Sequence, residues 1–396
     1  MTTKAKTPAK GQRKQPAKKA APKAEAKAAE APAEGQAQQA QEQQKININF
    51  SGGLANFLTQ QGISFAFTSY QTGRLYLIGH GPEKKLALHE AQYPQAMGVV
   101  GDANRLYLGT LTQLVRLENV LQPGQLANKV HDKVYVPRNM QVFGNIDFHE
   151  MGIRNNGKVV VVNTRFSCLC EPSLTHSFKP IWKPEFISKL APEDRCHLNG
   201  LAMVDGEPKY VTAVCRSDVV DGWRDRRHDG GMIIDVDTNE VVAEGLSMPH
   251  SPRWYDEKLW VLNSGTGELG WIDMKKKDKK KRFTPVAFFP GFLRGLSFYN
   301  GFAFATLSKP RHQRFDGLAL ADKLEEKDAD AWCGVQIVSL ADGNVAHWLR
   351  LDGPITELFD VCVLPGVANP LTIGPNSAEI QNFLTIEQSE DAVPVG

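Results

Sequence analysis

The stretch HEMGIRNNGKVVVVNT, residues 149–164, decides the fold, because variants of it recur along the chain about every fifty residues. Each copy starts with a polar residue, continues through hydrophobic positions and a turn, and ends in a strong strand pattern. The other copies are QAMGVVGDANRLYLGT (95–110), NGLAMVDGEPKYVTAV (199–214), HSPRWYDEKLWVLNS (250–264), RGLSFYNGFAFATLS (294–308) and ELFDVCVLPG (357–366). A repeat of this length is typical of a β-propeller, in which each copy contributes one four-stranded blade.

Short strand patterns bounded by turn residues fill most of the remaining sequence, and long amphipathic helical patterns are nearly absent, so the fold class is all-β. The last copy lacks the strands that follow the others. Strand patterns at 63–93 would complete its blade and join the two ends of the domain, which leaves no open sheet edge. We therefore predict a six-bladed β-propeller. Seven blades is the alternative, because 120–141 and 310–332 have no clear assignment.

The sequence predicts three segments. Residues 1–45 are rich in Lys, Ala and Pro and, after Met1, have no aromatic or branched aliphatic side chain, so we expect a disordered tail. Residues 46–386 are expected to form one propeller domain, and residues 387–396 a loose C-terminal tail.

Charge separates the tail from the body. The tail carries ten of the 46 basic residues and four of the 44 acidic ones, which leaves 36 basic and 40 acidic residues in the remainder. A mildly acidic body does not predict a nucleic-acid partner, apart from weak contact through the tail. No apolar run is long enough to predict a membrane span. The six cysteines contain no CxxC pair, and reduced thiols in a cytoplasmic protein are expected.

The innermost strand of each blade lines the central channel of a propeller, so residues at one phase of every copy should meet near one mouth. The leading residues of the six copies are Gln95, His149, Asn199, His250, Arg294 and Glu357. Strict alternation would send the residues two and four positions further along to the same face, where they would form an apolar plug. The residues that this alternation directs between the blades are Glu150, Ser251 and Asp360.

The six leading residues would form a ring around the channel, and two kinds of chemistry fit such a ring. His149 or His250 could act as general base while Arg294 stabilises developing negative charge, which makes these three the candidate catalytic residues. Alternatively, His149 and His250 with Glu357 and Asp147 could ligate a divalent metal such as Zn²⁺, Mn²⁺ or Fe²⁺. A purely structural interpretation also stays open, in which Arg294 pairs with Glu357 and the other side chains bind ordered water.

Basic residues are expected around the same mouth. Two long loops follow second strands, at 216–230 and 308–332, and both are rich in Arg, Lys and His. Arg forks suit carboxylate or phosphate, so the sequence predicts an anionic small-molecule ligand. The candidate ligand-binding residues are Gln95, Asn199, Arg165, Arg216, Lys309 and Arg311.

Three segments resemble a known family. The stretches MPHSPRWYDEKLWVLNSGTGELGWID (248–273), PGFLRGLSFYNGFAFATLSKPR (290–311) and PITELFDVCVLPG (354–366) resemble an uncharacterised bacterial family of β-propeller proteins. The resemblance covers about residues 60–375 and implies the fold and its boundaries, without an activity.

The phrase NGLA at 199–202 is also similar, more distantly, to one in the regucalcin and gluconolactonase propellers. That similarity implies a divalent metal held in the channel by acidic and asparagine side chains. Only Asn199 and Glu357 match this shell in type, while His149, His250 and Arg294 depart from it.

Two functions follow from the sequence. The first is a pocket that binds an anionic or sugar-like small molecule, with or without its hydrolysis or isomerisation and with or without a divalent metal. The alternative is a non-enzymatic scaffold that binds a protein partner and uses the basic tail as a tether.

Overall fold

The computed structural model describes residues 1–2, 46–311, 315 and 317–387. The chain divides into two units, residues 1–43 and 44–396, and all the described strands lie in the second. The tails predicted at 1–45 and 387–396 lie outside the described residues, except for residues 1, 2 and 387.

Twenty-six strands form the described part of the domain. They are β1 (Asn47–Phe50), β2 (Ile63–Ser69), β3 (Arg74–His80), β4 (Leu86–Gln92), β5 (Val99–Gly101), β6 (Arg105–Gly109), β7 (Gln113–Asn119), β8 (Lys133–Val142), β9 (Phe148–Ile153), β10 (Val159–Asn163), β11 (Cys168–Glu171), β12 (Lys179–Trp182), β13 (Leu198–Val204), β14 (Glu207–Ala213), β15 (Gly231–Asp235), β16 (Val241–Leu246), β17 (Pro249–Tyr255), β18 (Lys258–Asn263), β19 (Glu268–Ile272), β20 (Phe283–Phe288), β21 (Phe292–Tyr299), β22 (Phe302–Ser308), β23 (Cys333–Ser339), β24 (Val345–Asp352), β25 (Val361–Pro365) and β26 (Pro370–Thr372).

These strands form six sheets, which confirms the six-bladed β-propeller. From the channel outward the blades are β25-β2-β3-β4, β5-β6-β7-β8-β26, β9-β10-β11-β12, β13-β14-β15-β16, β17-β18-β19-β20 and β21-β22-β23-β24-β1, numbered here one to six. The two unassigned segments do not form a seventh blade. Residues 120–141 lead into and include most of β8, and the described residues of the insert between β22 and β23 form a helix and no strand.

The first blade closes the ring as predicted. Its innermost strand β25 comes from near the C-terminus and pairs antiparallel with β2, so that Ile63 lies opposite Pro365 and Phe67 opposite Val361. Two further strands extend outer edges: β1 pairs antiparallel with β24 of blade six, and β26 pairs parallel with β8 of blade two.

Two α-helices accompany the sheets in the described residues, α1 (Leu54–Gln61) and α2 (Ala319–Glu326). Helix α1 ends at Gly62, whose left-handed backbone returns the chain into β2. Its buried face, formed by Leu54, Phe57 and Leu58, joins a hydrophobic cluster with side chains from blades one and six. Helix α2 belongs to the insert of blade six and buries Leu320.

The innermost strands carry a β-bulge close to the predicted ring. In β9, β13, β17 and β21 the pairing register with the second strand shifts next to the leading residue of the copy. On β9, for example, Phe148 and Met151 lie opposite Asn163 and Val161, so three steps on one strand match two on the other. A bulge interrupts the alternation of side chains between the two faces. The strict alternation assumed from the sequence is therefore wrong at this point.

Two expectations about side-chain direction are corrected. Of the residues expected to form an apolar plug, Met97 and Met151 share one hydrophobic cluster, while Leu201 and Leu296 belong to two others. Phe359 belongs to the first cluster and does line the central space. Conversely, Glu150 and Asp360, which alternation placed between the blades, line the central space.

Candidate functional site

Four of the six leading residues meet at the centre of the propeller. His149, Asn199, His250 and Arg294 bound one small space, together with Phe359. The rings of His149 and His250 stack with centroids 6.4 Å apart, and Nδ2 of Asn199 lies 3.5 Å from Nε2 of His250. The space between these side chains is too small for a water molecule, so this level of the channel is closed by packing.

Gln95 and Glu357 do not belong to this level. Two leading residues, Asn199 and Arg294, are followed by a glycine that abuts the next blade: a Cβ on Gly200 would approach Ser251 N at 3.1 Å, and one on Gly295 would approach Asp360 Cα at 2.6 Å. In the second blade Gly98 takes this place, so Met97 is the counterpart of the ring residues. In the first blade the counterpart of the ring residues is Phe359, which directly precedes Asp360. Gln95 and Glu357 each lie two residues earlier, nearer the mouth.

His149 is buried and neutral at pH 7. Its Nδ1 lies 2.8 Å from Oγ1 of Thr164 and 3.6 Å from a carboxylate oxygen of Asp147. Burial lowers the pKa of His149, and Asp147 opposes that shift only in part.

His250 is held in the same way. Its Nδ1 lies 2.9 Å from the carbonyl oxygen of Met248 and 3.1 Å from Oγ of Ser264. Burial, with the charge of Arg294 adding to it, places the pKa of His250 well below its usual range.

The metal hypothesis does not fit this geometry. Across the described residues no group of three or more His, Cys, Asp and Glu side chains is placed to hold a metal ion. Of the four proposed ligands, Asp147 and His149 are neighbours, but Glu357 is engaged by Arg294 at 3.4 Å and by Arg311 at 2.9 Å. The set of His149, His250, Glu357 and Asp147 is therefore not assembled as a coordination site.

A buried ionic cluster fills the channel below the histidines. Arg253 of blade five reaches Glu150 of blade three through Nη1 at 2.9 Å and Nη2 at 3.1 Å. Ser251 donates a third hydrogen bond to Glu150, and Arg253 Nη2 lies 3.9 Å from Asp360 of blade one. Glu150 and Asp360 are each 4% exposed.

Backbone groups complete this cluster. The N–H of Leu201 in blade four donates to Glu150 at 2.7 Å, the N–H of Val99 in blade two donates to Asp360 at 2.9 Å, and Arg253 donates to the carbonyl of Leu296 in blade six at 2.9 Å. All six blades therefore contact the same group of charges. The channel is closed below the ring, and the accessible chemistry lies above it.

A pocket of about 410 Å³ opens at the mouth above the ring. Residues from three blades line it, together with residues from the two long loops at 216–230 and 308–332, called the two inserts below. The sequence predicted the contribution of these two loops. Its polar lining consists of Arg224, Arg227, Arg294, Ser308, Lys309, Arg311 and Glu357. Its apolar lining consists of Trp223, Met248, Phe292, Phe315 and Leu318. His149 and His250 lie beneath this pocket and do not line it.

Glu357 is the single carboxylate of the pocket lining, and it is held by its neighbours. It accepts hydrogen bonds from Tyr70 Oη, Arg294 Nη1 and Arg311 Nε. Although burial opposes ionisation, Arg294, Tyr70 and Arg311 lower the pKa of Glu357, so it is charged at neutral pH. The guanidinium of Arg294 also lies 5.0 Å from the ring centre of Phe292, a cation–π arrangement.

The other predicted ligand-binding residues lie elsewhere. Gln95 and Arg165 line a separate pocket of about 370 Å³, which shares only Arg224 with the first. Arg216 is exposed and stacks over Phe186 at 5.2 Å, outside both pockets. Asn199 is buried in the ring, where it accepts a hydrogen bond from Thr212 at 2.6 Å. Of the six, Lys309 and Arg311 line the mouth pocket.

Sequence reasoning missed two kinds of site residue. Arg227, Phe292 and Phe315 line the pocket without standing at a repeated position. Arg227 and Phe315 could have been indicated by their place in the two inserts, and Phe292 by its place two residues before Arg294 in β21. Arg253 was missed because it was treated as part of a strand pattern. A charged residue in an innermost strand, three positions after His250, was the available signal.

One family model matches most of the chain. The family model described as "Domain of unknown function (DUF4915)" matches residues 52–373, which confirms the resemblance to a propeller family without an assigned activity. No curated protein matches the chain.

Solved structures that match are distant. The chain is 10% identical to a chain of a nidogen/laminin complex, covering 77% of this chain and 100% of that one with a TM-score of 0.48. It is 8% identical to virginiamycin B lyase from Staphylococcus aureus, covering 78% and 99% with a TM-score of 0.34. It is 9% identical to a putative gluconolactonase, covering 66% and 90% with a TM-score of 0.39. These likenesses carry no information on what this chain binds.

Proposed function

The chain belongs to the DUF4915 family, and we propose from the geometry of its channel mouth that it binds an anionic small molecule there. The observation that supports this proposal is the lining of the mouth pocket, where five Arg and Lys side chains converge with one carboxylate. Its volume of about 410 Å³ is in the usual range for small-molecule sites.

Ion pairs within the protein neutralise only part of this positive charge. Glu357 is shared by Arg294 and Arg311, and Arg224 pairs with Asp221 at 3.1 Å. Within the part of the chain that the structure describes, Arg227 and Lys309 form no ion pair at contact distance, although the charge of Lys309 contributes to lowering the pKa of Asp352. Uncompensated cations in a concave, partly apolar site favour an anionic ligand, because desolvation strengthens charge-assisted hydrogen bonds there.

A catalytic step by His149 and His250 is the more specific part of the proposal. Both imidazoles are neutral at pH 7, as a general base must be, and Arg294 connects their ring with the mouth pocket by lining both spaces. Hydrolysis or isomerisation of the ligand would require the ring to open toward the pocket. Variants at the histidines would then lose turnover while they keep ligand binding.

Isothermal titration calorimetry on the full chain tests the binding proposal. Benzoate and inorganic phosphate are the anionic probes, and benzyl alcohol is the neutral one. We expect heat from at least one anion and none from the alcohol, and we expect Arg227→Gln and Lys309→Gln to weaken binding about tenfold each. Arg226→Gln is the matched control, because Arg226 lies in the same insert, is exposed and does not line the pocket. Equal heats for all three probes, or an equal loss in the control, would reject the site.

We also propose that the protein works in the cytoplasm. All six cysteines are free and buried, which suits a reducing compartment. Among the helices of the described residues, none has the length and apolar character needed to span a bilayer. Fractionation of cells that produce the full chain would test this, with recovery in an oxidising compartment as the contrary result.

A further inference from the structure

The mouth pocket carries more positive charge than one negative group can balance. Its five cations face two carboxylates, Glu357 in the lining and Asp221 beside Arg224. Glu357 is charged and is bound by two guanidinium groups at once. Among the described residues, the five cations of the pocket therefore outnumber these two carboxylates by three. The cations come from the two inserts and from the inner strand β21.

The same pocket also has an aromatic and apolar lining, and two of its cations lie over aromatic rings, Arg294 over Phe292 and Arg224 over Trp223. The rings of Phe292 and Phe315 lie 6.4 Å apart at 26° to each other, and Trp223, Met248 and Leu318 continue the apolar wall. Two contacts fix the orientation of the Trp223 side chain: its Nε1 donates to Asp194 at 2.9 Å, and its ring stacks on that of His197 with centroids 4.2 Å apart. An inorganic anion would leave this wall in contact with water, so the lining fits an amphipathic ligand better than a bare ion.

We propose, on the basis of the binding function above, that the ligand is an organic phosphate monoester with an aromatic or apolar body. Its phosphate faces Arg227, Lys309 and Arg294, and its body packs against Phe292, Phe315 and Trp223. A phosphate monoester carries close to two negative charges at pH 7.5 and offers three acceptor oxygens, which matches the excess of cations and the forked donors of Arg.

Glu357 modulates this site as an internal counter-ion. Its carboxylate already occupies donors of Arg294 and Arg311, and its charge repels an incoming anion. A ligand with two negative charges gains twice as much as a monoanion from the net positive potential of the pocket. Glu357→Gln keeps the shape of the side chain and removes its charge, so it should raise the affinity for a phosphate ligand.

Three matched probes test the ligand class by calorimetry on the full chain at pH 7.5. Phenyl phosphate has the ring and two charges, benzenesulfonate has the ring and one charge, and inorganic phosphate has the charges without a ring. We expect phenyl phosphate to bind about tenfold tighter than either of the others. Benzenesulfonate binding as tightly as phenyl phosphate would overturn the dianion assignment, and inorganic phosphate binding as tightly would overturn the organic body.

Variants separate the two halves of the ligand. Phe315→Leu should weaken phenyl phosphate and leave inorganic phosphate unchanged, whereas Lys309→Gln should weaken both phosphates more than the sulfonate. Glu357→Gln should strengthen phenyl phosphate about tenfold, and unchanged or weaker binding would contradict the counter-ion role. Arg226→Gln should change nothing. If no anion binds the wild-type chain at all, the proposed binding function fails; if anions bind without these differences, only the ligand class fails.

Discussion

Arg253 and Glu150 form a two-pronged ion pair across the central channel, at 2.9 and 3.1 Å, although they belong to blades five and three. The pair is surrounded by backbone donors and acceptors from the other blades, so both charges are fully engaged. The Glu150 side chain is 5% exposed and that of Arg253 is 24% exposed, so the carboxylate is the more strongly desolvated of the two. Without its guanidinium partner, Glu150 would be a buried charge with no counter-charge.

Removal of either partner should therefore destabilise the fold strongly. We expect Arg253→Met to lower the free energy of unfolding by about 3–5 kcal/mol, because Glu150 would be left buried without its guanidinium. Urea unfolding monitored by tryptophan fluorescence measures this. The control is Arg350→Met, which removes an exposed pair with Asp352 and should cost less than about 1 kcal/mol. Similar losses in the two variants would show that the channel cluster has no special role.

Asp360 should make stability depend on pH. Burial raises the pKa of its carboxyl from 3.8 to about 7, against the lowering effect of Arg253. Below the unfolded-state pKa the group is protonated in both states. As pH rises toward 7 the unfolded chain loses this proton while the folded chain keeps it, so the free energy of unfolding falls. The free energy of unfolding of wild type minus that of Asp360→Asn should therefore fall from pH 4 to pH 7. A difference that stays constant or grows would contradict the raised pKa.

His250 should act in the opposite direction at acid pH. Burial lowers its pKa well below 6.5, so the unfolded chain takes up a proton there before the folded chain does. The stability that this neutral imidazole contributes is present above pH 6.5 and is lost as pH falls through the folded-state pKa. We expect His250→Gln to show less acid destabilisation between pH 6.5 and 4.5 than wild type. A ring resonance of His250 that titrates at an ordinary pH in NMR spectra would contradict this account.

Gly295 should not tolerate a side chain. A Cβ there would lie 2.6 Å from Cα of Asp360 in the next blade, where the obstacle is backbone and cannot rotate away. Gly295→Ala is expected to cost about 3 kcal/mol or more of unfolding free energy through overpacking. Gly52→Ala is the control, since nothing lies within 4 Å of the place that its methyl group would take. Equal melting temperatures for the two variants would argue against close blade contact at this level.

The fold could be predicted because its evidence is repeated six times. Each copy carries one inner strand and the turn that follows it, so an error in one copy is corrected by the others. The closure of the first blade by β25 was predictable for the same reason, since the copy at 357–366 has no partners of its own downstream.

The site was predictable only in part. Four of the leading residues meet as expected, namely His149, Asn199, His250 and Arg294. Gln95 and Glu357 lie nearer the mouth, because in their two blades the ring position is taken by the residue two places further along, Met97 and Phe359. The bulges also cannot be inferred from hydrophobic periodicity, since an inserted residue changes which face a side chain takes without changing its type.

The pocket depends on contacts that no local pattern contains. Lys309 and Arg311 were predicted from the insert that follows β22, and both line the mouth. Arg216 shared the same rationale, yet it turns toward Phe186, because a loop of basic residues does not specify where each side chain points.

The strand that closes the ring has a consequence for how the protein is made. Ile63 finds its partner Pro365 only after nearly the whole propeller has left the ribosome, so the first blade must wait with its inner edge exposed. Contacts between such remote positions slow folding, since a long loop must close before they form. Until then the nascent chain presents an unpaired strand edge, at which it is open to association with other chains.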